Sequence, residues 1–351
     1  MQRFSGGWDY FCLTKQLEDG YISPGLREFS AYYSNRLSYQ EVEKLIKRIS
    51  GEQLLSDQGI WGMVVDKAAE ISQELKREAE EIIQKGSMPE VAEKVDIYHA
   101  EESEVLLFDD GIQVREQKPS RDKSEVSLKN SRVGTDVVML EKKEGGFHYL
   151  CGGIDSQGEE NISLEEVVKA QFIEEYSECE TPLKLVAITD GAKSIRKQLF
   201  NIFGIMICLI LDWYHLCKKV RELMSMIAQN KKDKQRHLDF IIPLLWRGKT
   251  NEVLEYLSGQ VTARNQQKLE ELITYLNKHK AEIIDYERRQ KAGKCIGSGR
   301  MEKGVDQVIG FRQKKKGMSW RKQGSKALAI LRIAELNGQW NSLWFPESLA
   351  A

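Results

Sequence analysis

Cysteine pairing is the first thing this 351-residue chain lacks: the six cysteines, at 12, 151, 179, 208, 217 and 295, form no CxxC and show no zinc-ligand spacing. That argues against a disulfide scaffold and against a structural metal clip, and reads as reduced, mostly buried thiols. Long apolar runs are missing as well. The longest, Ile205 to Leu211, is far too short to cross a bilayer. The opening MQRFSGGWDYF has no basic region leading into an extended apolar core, so it does not read as a secretory signal. The expected location is the cytoplasm, with no membrane association. Net charge is almost absent at −1, which counts against a polycation that binds nucleic acid indiscriminately. Neither an internal repeat nor a low-complexity tract is present.

What is there is a globular composition, 41% hydrophobic and 30% charged, in a chain long enough for two or three domains. Basic residues gather locally in Lys218-Lys219-x-Arg221, in KKDKQR at 231–236, in Arg288-Arg289-Gln290-Lys291 and in RQKKKGMSWRK at 312–322. Each cluster reads either as the solvated face of a helix or as part of one groove.

The first hundred residues carry helical patterns. Ser38 caps a helix with Glu41 three residues on, and Val42, Leu45, Ile46 and Ile49 follow at helical spacing until Gly51 breaks it. A second start at Ser56-Asp57 leads into Ile60, Trp61, Val64, Val65 and Ala68. Residues 38–69 therefore have the outline of a helix-turn-helix, with an ordinary helical hairpin as the plainer alternative. From Ala69 to Gln84 the charge-rich pattern predicts an exposed connecting helix. Near residue 104 the period changes to that of strands: EVLLFDDGIQV, TDVVML at 135–140 and GFHYLCGGI at 146–154. A helix opens on the Ser163–Glu166 capping box, LKLVAIT at 183–189 is a strand, AKSIRKQLFNIFG a helix and IMICLIL at 205–211 a strand. The order is βββαβαβ. Residues 213–290 then show only helical periods, which predicts an all-helical insertion before a final segment, 291–351. The expected organisation is a helical region over 1–100, an α/β core over 101–212, the insertion, and a closing helix and tail.

Two strands end in the same dipeptide, Asp110-Gly111 and Asp190-Gly191, 80 positions apart. An Asp-Gly at a strand end is ordinarily a turn. In a βββαβαβ order, however, the first and fourth strands lie side by side and parallel, which sets the two aspartates against each other. Like charges that close are unfavourable unless a cation intervenes, and Mg²⁺ (or Mn²⁺) suits carboxylate oxygens. A third carboxylate from a helix on the same sheet would complete a pocket for in-line attack at phosphorus. Glu302 is placed for this: Gly297 and Gly299 let the backbone approach the sheet, and Met301, Val305, Val308 and Ile309 supply a buried face. Asp306, one turn on, competes with it, and a glutamate at that position is otherwise simple first-turn decoration. Asp109 stands next to Asp110, but strand alternation lets only one of them face Asp190.

These residues carry a resemblance. DG, TDGA and a late Glu in this order resemble the DDE transposases of bacterial insertion sequences, and the runs SPGLREFSAYYSNRLSYQEVEKLI (23–46), FDDGIQV (108–114), AITDGA (187–192), LDWYHL (211–216), IGSGRMEKGVDQVIGFRQKKKGMSW (296–320) and LNGQWNSLW (336–344) look like the ISKra type. The resemblance implies a ribonuclease H-like mixed sheet interrupted by the helical insertion and preceded by the helix-turn-helix region. It implies Asp110, Asp190 and Glu302 as metal ligands and catalytic residues, and it implies cleavage at the element's terminal inverted repeats followed by joining to target DNA. It also implies assembly as a homo-oligomer on DNA beside a bacterial nucleoid. Asp212 and His215 match a D-x-x-H signature associated with holding or reading the DNA end. His215 reads equally as a helix-start histidine bonded to Asp212. Arg312, Lys314, Lys316 and Trp320 are expected at the DNA, the tryptophan stacking on a base and the cations neutralising phosphates, with a packed tryptophan beside a wet loop as the alternative. Related members carry a cysteine-rich segment ahead of SPGLRE, where this sequence has only Cys12 and about twenty residues. A shortened start would keep the carboxylates and lose part of end recognition. A ribonuclease H-like nuclease or resolvase, and an idle DNA-binding remnant, are the competing readings.

Overall fold

The computed structural model describes residues 21–117, 131–315 and 317–345. The chain opens with helices α1 (Pro24–Ser34), α2 (Tyr39–Ser50) and α3 (Asp57–Lys85). The Ser38–Glu41 capping box forms in both directions: Ser38 Oγ accepts the Glu41 N–H at 3.2 Å and Glu41 accepts the Ser38 N–H at 2.7 Å. Gly51 ends α2 in the left-handed conformation, as its position in the sequence requires. Val42, Ile46, Leu55 and Ile60 close a small core between the three helices.

One expectation holds only in part. Residues 69–84 are helical and many of them are exposed, but they form the second half of the 29-residue α3 and bury Ser72 and Ala79 instead of serving as a connector. Val64, Val65 and Ala68 belong to the main core, and Ser72 Oγ accepts the backbone N–H of Ile154 at 3.1 Å. The charge-rich sequence hid a narrow stripe of small residues, and a narrow stripe is what lets a long helix lie close against a neighbouring backbone.

The sheet follows: β1 (Val105–Arg115), β2 (Arg132–Glu141), β3 (Phe147–Leu150), then a short hairpin β4 (Gly153–Ile154) and β5 (Glu160–Ile162) that the sequence did not announce. After α4 (Leu164–Tyr176), capped by Ser163 and Glu166 as predicted, come β6 (Leu185–Thr189), α5 (Lys193–Phe203) and β7 (Cys208–Leu211). The five-stranded sheet has the order β3-β2-β1-β6-β7, antiparallel across β3, β2 and β1 and parallel across β1, β6 and β7. Its central strands read as unbroken apolar runs because helices cover both faces. Phe108, Val137, Ile188 and Ile210 face one cluster, while Leu107, Val138, Leu140 and Ala187 face the other, against α4.

Beyond β7 the chain is helical: α6 (Trp213–Ile227), α7 (Lys231–Trp246), α8 (Thr250–Gly259), α9 (Gln266–Lys278) and α10 (Tyr286–Lys291). It returns to the sheet through α11 (Gly299–Val305), a wide π-turn (Asp306–Gly310) and α12 (Phe311–Gln313), and closes with α13 (Lys322–Leu336), which packs along α3, and α14 (Trp340–Trp344). Among the described residues no helix is long and apolar enough to cross a membrane.

Candidate functional site: a carboxylate cluster at the strand ends

Register and alternation put the two adjacent aspartates on opposite faces of the sheet. Asp109 lies opposite Thr189 of β6 and Val138 of β2, so Asp110 follows one step later, level with Asp190. The even-numbered positions of β1, Leu106, Phe108 and Ile112, belong to the cluster that also contains Met301 and Val305 of α11. Asp110 therefore shares its face with α11, and Asp109 points to the other side of the sheet, where it is buried at 3% exposure. Its Oδ2 has no hydrogen-bond partner, and burial, reinforced by the charges of Asp136, Asp110 and Asp190, pushes its carboxyl up to about 8.

Asp110 is half-buried, and its Oδ1 accepts the Gly111 N–H at 2.8 Å. Burial raises its carboxyl above the usual range; the Gly111 N–H and His215 pull it down, and the charges of Asp190 and Glu302 push it up again. Asp190 accepts the Ala192 N–H at 2.7 Å, in a turn where Gly191 takes φ +82°. The turn is backed by His279, since a Cβ on Gly191 would sit 2.6 Å from its Cε1. His279 is itself buried, 2.7 Å from Glu282 and 3.1 Å from Arg196. Glu302 is exposed on α11, and its charge adds to the upward push on Asp110.

The approach of α11 differs in one detail from the expectation. A Cβ on Gly299 would meet open space, whereas one on Gly297 would sit 2.6 Å from the Tyr214 ring and one on Gly304 2.6 Å from Met139 Sδ. Gly297 and Gly304 are the close contacts. Met301, Val305, Val308 and Ile309 are buried as predicted.

Asp212 holds this segment in place. It is fully buried, caps α6 by accepting the His215 N–H at 2.6 Å, and also accepts the Ser298 N–H. Burial works to raise its carboxyl, but these hydrogen bonds outweigh it and keep the group below its usual range. His215 Nδ1 lies 3.4 Å from Asp212 Oδ1, within ion-pair reach but without a hydrogen bond of good geometry. Asp212, with Asp190 and Asp110 beyond it, holds the imidazole above its ordinary value.

The expectations for DNA contact divide on burial. Asp212 has no surface to offer. Arg312 is 5% exposed, donates to the Ser34 carbonyl at 2.8 Å and lies over the Trp320 ring at 4.7 Å. Trp320 is 7% exposed, and its indole N–H donates to the Gln313 carbonyl at 2.9 Å, while its backbone N–H donates to Arg115 at the end of β1. Arg312 and Trp320 bind the N-terminal helices, α12 and β1 into one junction, and Asp212 binds α6 to Ser298, so all three are packed inside the fold with no face turned to a base or a phosphate. Lys314 is exposed, and Lys316 lies outside the described residues. Sequence reading also missed Arg289. Counted among the surface cations, it is fully buried, paired with Glu104 and donating to the Cys295 carbonyl at 2.6 Å and the Ile97 carbonyl at 3.0 Å.

A cleft of about 710 Å³ between α3 and α4, lined by Glu78, Ile82 and Glu174 among others, includes none of these carboxylates. Among the described residues no three His, Cys, Asp or Glu side chains converge closely enough, as they stand, to hold a metal ion.

The model of the uncharacterised protein family UPF0236 matches residues 34–343. The chain belongs to this family. The UPF0236 match takes in α2 through almost all of α14, and with them every residue of the carboxylate cluster, Asp212, His215 and the Arg312–Trp320 junction. No curated protein and no solved structure matches the chain.

Proposed function

We propose that this UPF0236 chain is a DDE transposase: it cuts DNA at the ends of its own element and joins the freed end to a target. The observation that carries the reading is Asp110 and Asp190 level with one another on neighbouring parallel strands, with Glu302 near enough on the same face to repel Asp110. The mixed sheet order is compatible with the ribonuclease H-like fold that the sequence resemblance implies.

The donor set is hard oxygen and its members repel one another, which is the electrostatic situation a divalent cation relieves. Asp110, Asp190 and Glu302 would hold Mg²⁺ or Mn²⁺, which supplies charge neutralisation at the phosphoryl oxygens and acidifies water. Glu302, exposed on its helix, is the member whose side chain closes the set. Asp212 keeps Ser298, and therefore the start of α11, against α6. His215, held towards its charged form, places positive charge beside the phosphate. Water attacks phosphorus and the P–O3′ bond breaks, leaving a 5′-phosphate and a free 3′-OH. That hydroxyl then attacks a target phosphorus, forming one phosphodiester as another breaks, with the departing 3′ oxygen taking up a proton. Positioning and charge do most of the work. DNA is the partner in both steps, and a homo-oligomer on DNA would bring two ends together.

The test is Mg²⁺-dependent nicking of a plasmid carrying the sequences that flank the gene. EDTA or Glu302→Gln is expected to reduce nicking by about 10²-fold or more while band shifts persist, and Asp306→Asn to leave it intact. Strand-transfer products from a pre-cut end separate a transposase from a nuclease or resolvase. DNA binding without any Mg²⁺-dependent nicking would leave only the idle remnant.

A further inference from the structure

We infer that α6 and α7 form a track for the phosphodiester backbone of DNA, running from the carboxylate cluster to a basic cleft at the far end of α6. The inference deepens the transposase reading and rests on it for the direction of the track. The cleft has a volume of about 490 Å³ and is lined by Arg221, Lys231, Lys232, Lys234, Gln235 and Leu238. Two of the four basic clusters, 218–221 and 231–236, which are separate in sequence, thus meet at one place. No carboxylate lines the cleft. Arg221, Lys231 and Lys232 are exposed and form no ion pair among the described residues. Of the acids of α7, Asp233 is paired with Arg236 and His237, and Asp239 accepts a hydrogen bond at 2.7 Å from Gln235, which itself lines the cleft. Lys234 is oriented by Ser225 Oγ at 2.7 Å, so the two helices share a polar contact across the cleft.

The link to the carboxylates is the exposed stripe of α6. Tyr214, Lys218, Arg221 and Ser225 follow at i, i+4, i+7 and i+11, which is one helical face, and all are exposed, Tyr214 at 59%. Tyr214 touches Gly297 at the start of the Glu302 segment, so the stripe begins beside the site. From Tyr214 to Arg221 the helix advances about 10 Å. An aromatic at the site followed by exposed cations along the same helical face suits a polyanionic strand leaving the scissile position. No residue of the clusters at 288–291 and 312–322 lines this cleft, and Arg289 and Arg312 are buried.

The test is the charge reversal Lys231→Glu/Lys232→Glu in the full chain. Both residues open α7, where acidic side chains suit the positive end of the helix, so lost binding is not lost structure; far-UV circular dichroism checks this. Binding of a fluorescent mixed-sequence duplex is measured against salt. The slope of log K against log [salt] is expected to shrink by roughly 2, since each lost phosphate contact removes about 0.9, with affinity at low salt falling about tenfold or more. The control Lys76→Glu/Lys143→Glu changes the same charge on α3 and at the β2–β3 turn, where neither residue lines the cleft. A parental slope in the Lys231/Lys232 variant, or an equal loss in the control, overturns the track. A single-stranded probe run alongside tells which form of DNA occupies it. Nicking by the parent protein is scored on the same preparations: a parent that never nicks but shows the slope loss keeps the track and removes the transposase reading, whereas a nicking parent with no slope loss does the reverse.

Discussion

The buried carboxylate of Asp212 accepts the backbone N–H of Ser298, joining the residue that follows strand β7 to the segment that carries Glu302. The same carboxylate caps α6 through His215 N, so one side chain fixes both the start of the helical region and its return. Asp212→Ala leaves the buried Ser298 N–H unpaired, at about 1–3 kcal/mol, together with the part-buried N–H of His215, and is expected to lower the urea midpoint. Asp212→Asn retains one acceptor oxygen and should cost less. Equal midpoints for Asp212→Ala and the parent would remove this strap from the account.

Asp109 makes stability depend on pH in a direction unusual for an aspartate. In the folded chain it titrates near 8, against an ordinary 3.8. Between those values the folded state holds a proton that the unfolded chain has lost, so stability falls as pH rises through that window. Asp109→Asn abolishes the penalty. Its Tm advantage over the parent is expected to be smallest near pH 4, to grow from there towards pH 8 and to level off above it. An advantage independent of pH would show that Asp109 is not the group responsible. Nicking by Asp109→Asn should match the parent, and Asp110→Asn should abolish it.

Gly191 is held in a conformation and a space that no other residue fills. At φ +82°, with His279 Cε1 2.6 Å from a built Cβ, Gly191→Ala should cost about 1–3 kcal/mol of backbone strain in addition to the displacement of His279. Because Asp190 precedes it, the expected signature is a loss of Mg²⁺-dependent nicking greater than the loss of duplex binding. An alanine variant with parental stability would contradict the close packing.

Deleting residues 1–100 would seem the natural way to isolate a DNA-reading module. The structure argues that this deletion yields aggregated protein, because α3 supplies Val64, Val65 and Ala68 to the main core. Recognition by the N-terminal helices is better tested at the surface. Lys44, Lys47 and Arg48 are exposed on α2 and unpaired among the described residues. Lys47→Gln/Arg48→Gln should fold normally and lose preference for the element's ends over random DNA. Retained preference, measured by competition band shift, would place recognition elsewhere.

The sequence alone determined what depends on neighbours along the chain. Ser38 with Glu41 and Ser163 with Glu166 start helices because a cap needs only residues three apart. That Asp109 and Asp110 face opposite ways follows from alternation along a strand, a local rule, whereas the packing of α11 on one side of the sheet decided which of them shares its face with Glu302. The order of the five strands of the main sheet and their helices, and the helical stretch after them, follow from the same short-range periods, whereas the short β4–β5 hairpin does not. The tertiary structure alone decided which polar residues lie inside. Arg289, Arg312, Trp320 and Asp212 look like surface or ligand-reading residues in the sequence, and each is buried because a distant segment supplies its partners: Glu104 for Arg289, Ser34 for Arg312, Gln313 and Arg115 for Trp320, Ser298 for Asp212. Burial depends on which surfaces meet across the fold, and a buried polar group survives only where that meeting brings it a hydrogen-bond partner, which the spacing of residues along one strand of sequence does not encode.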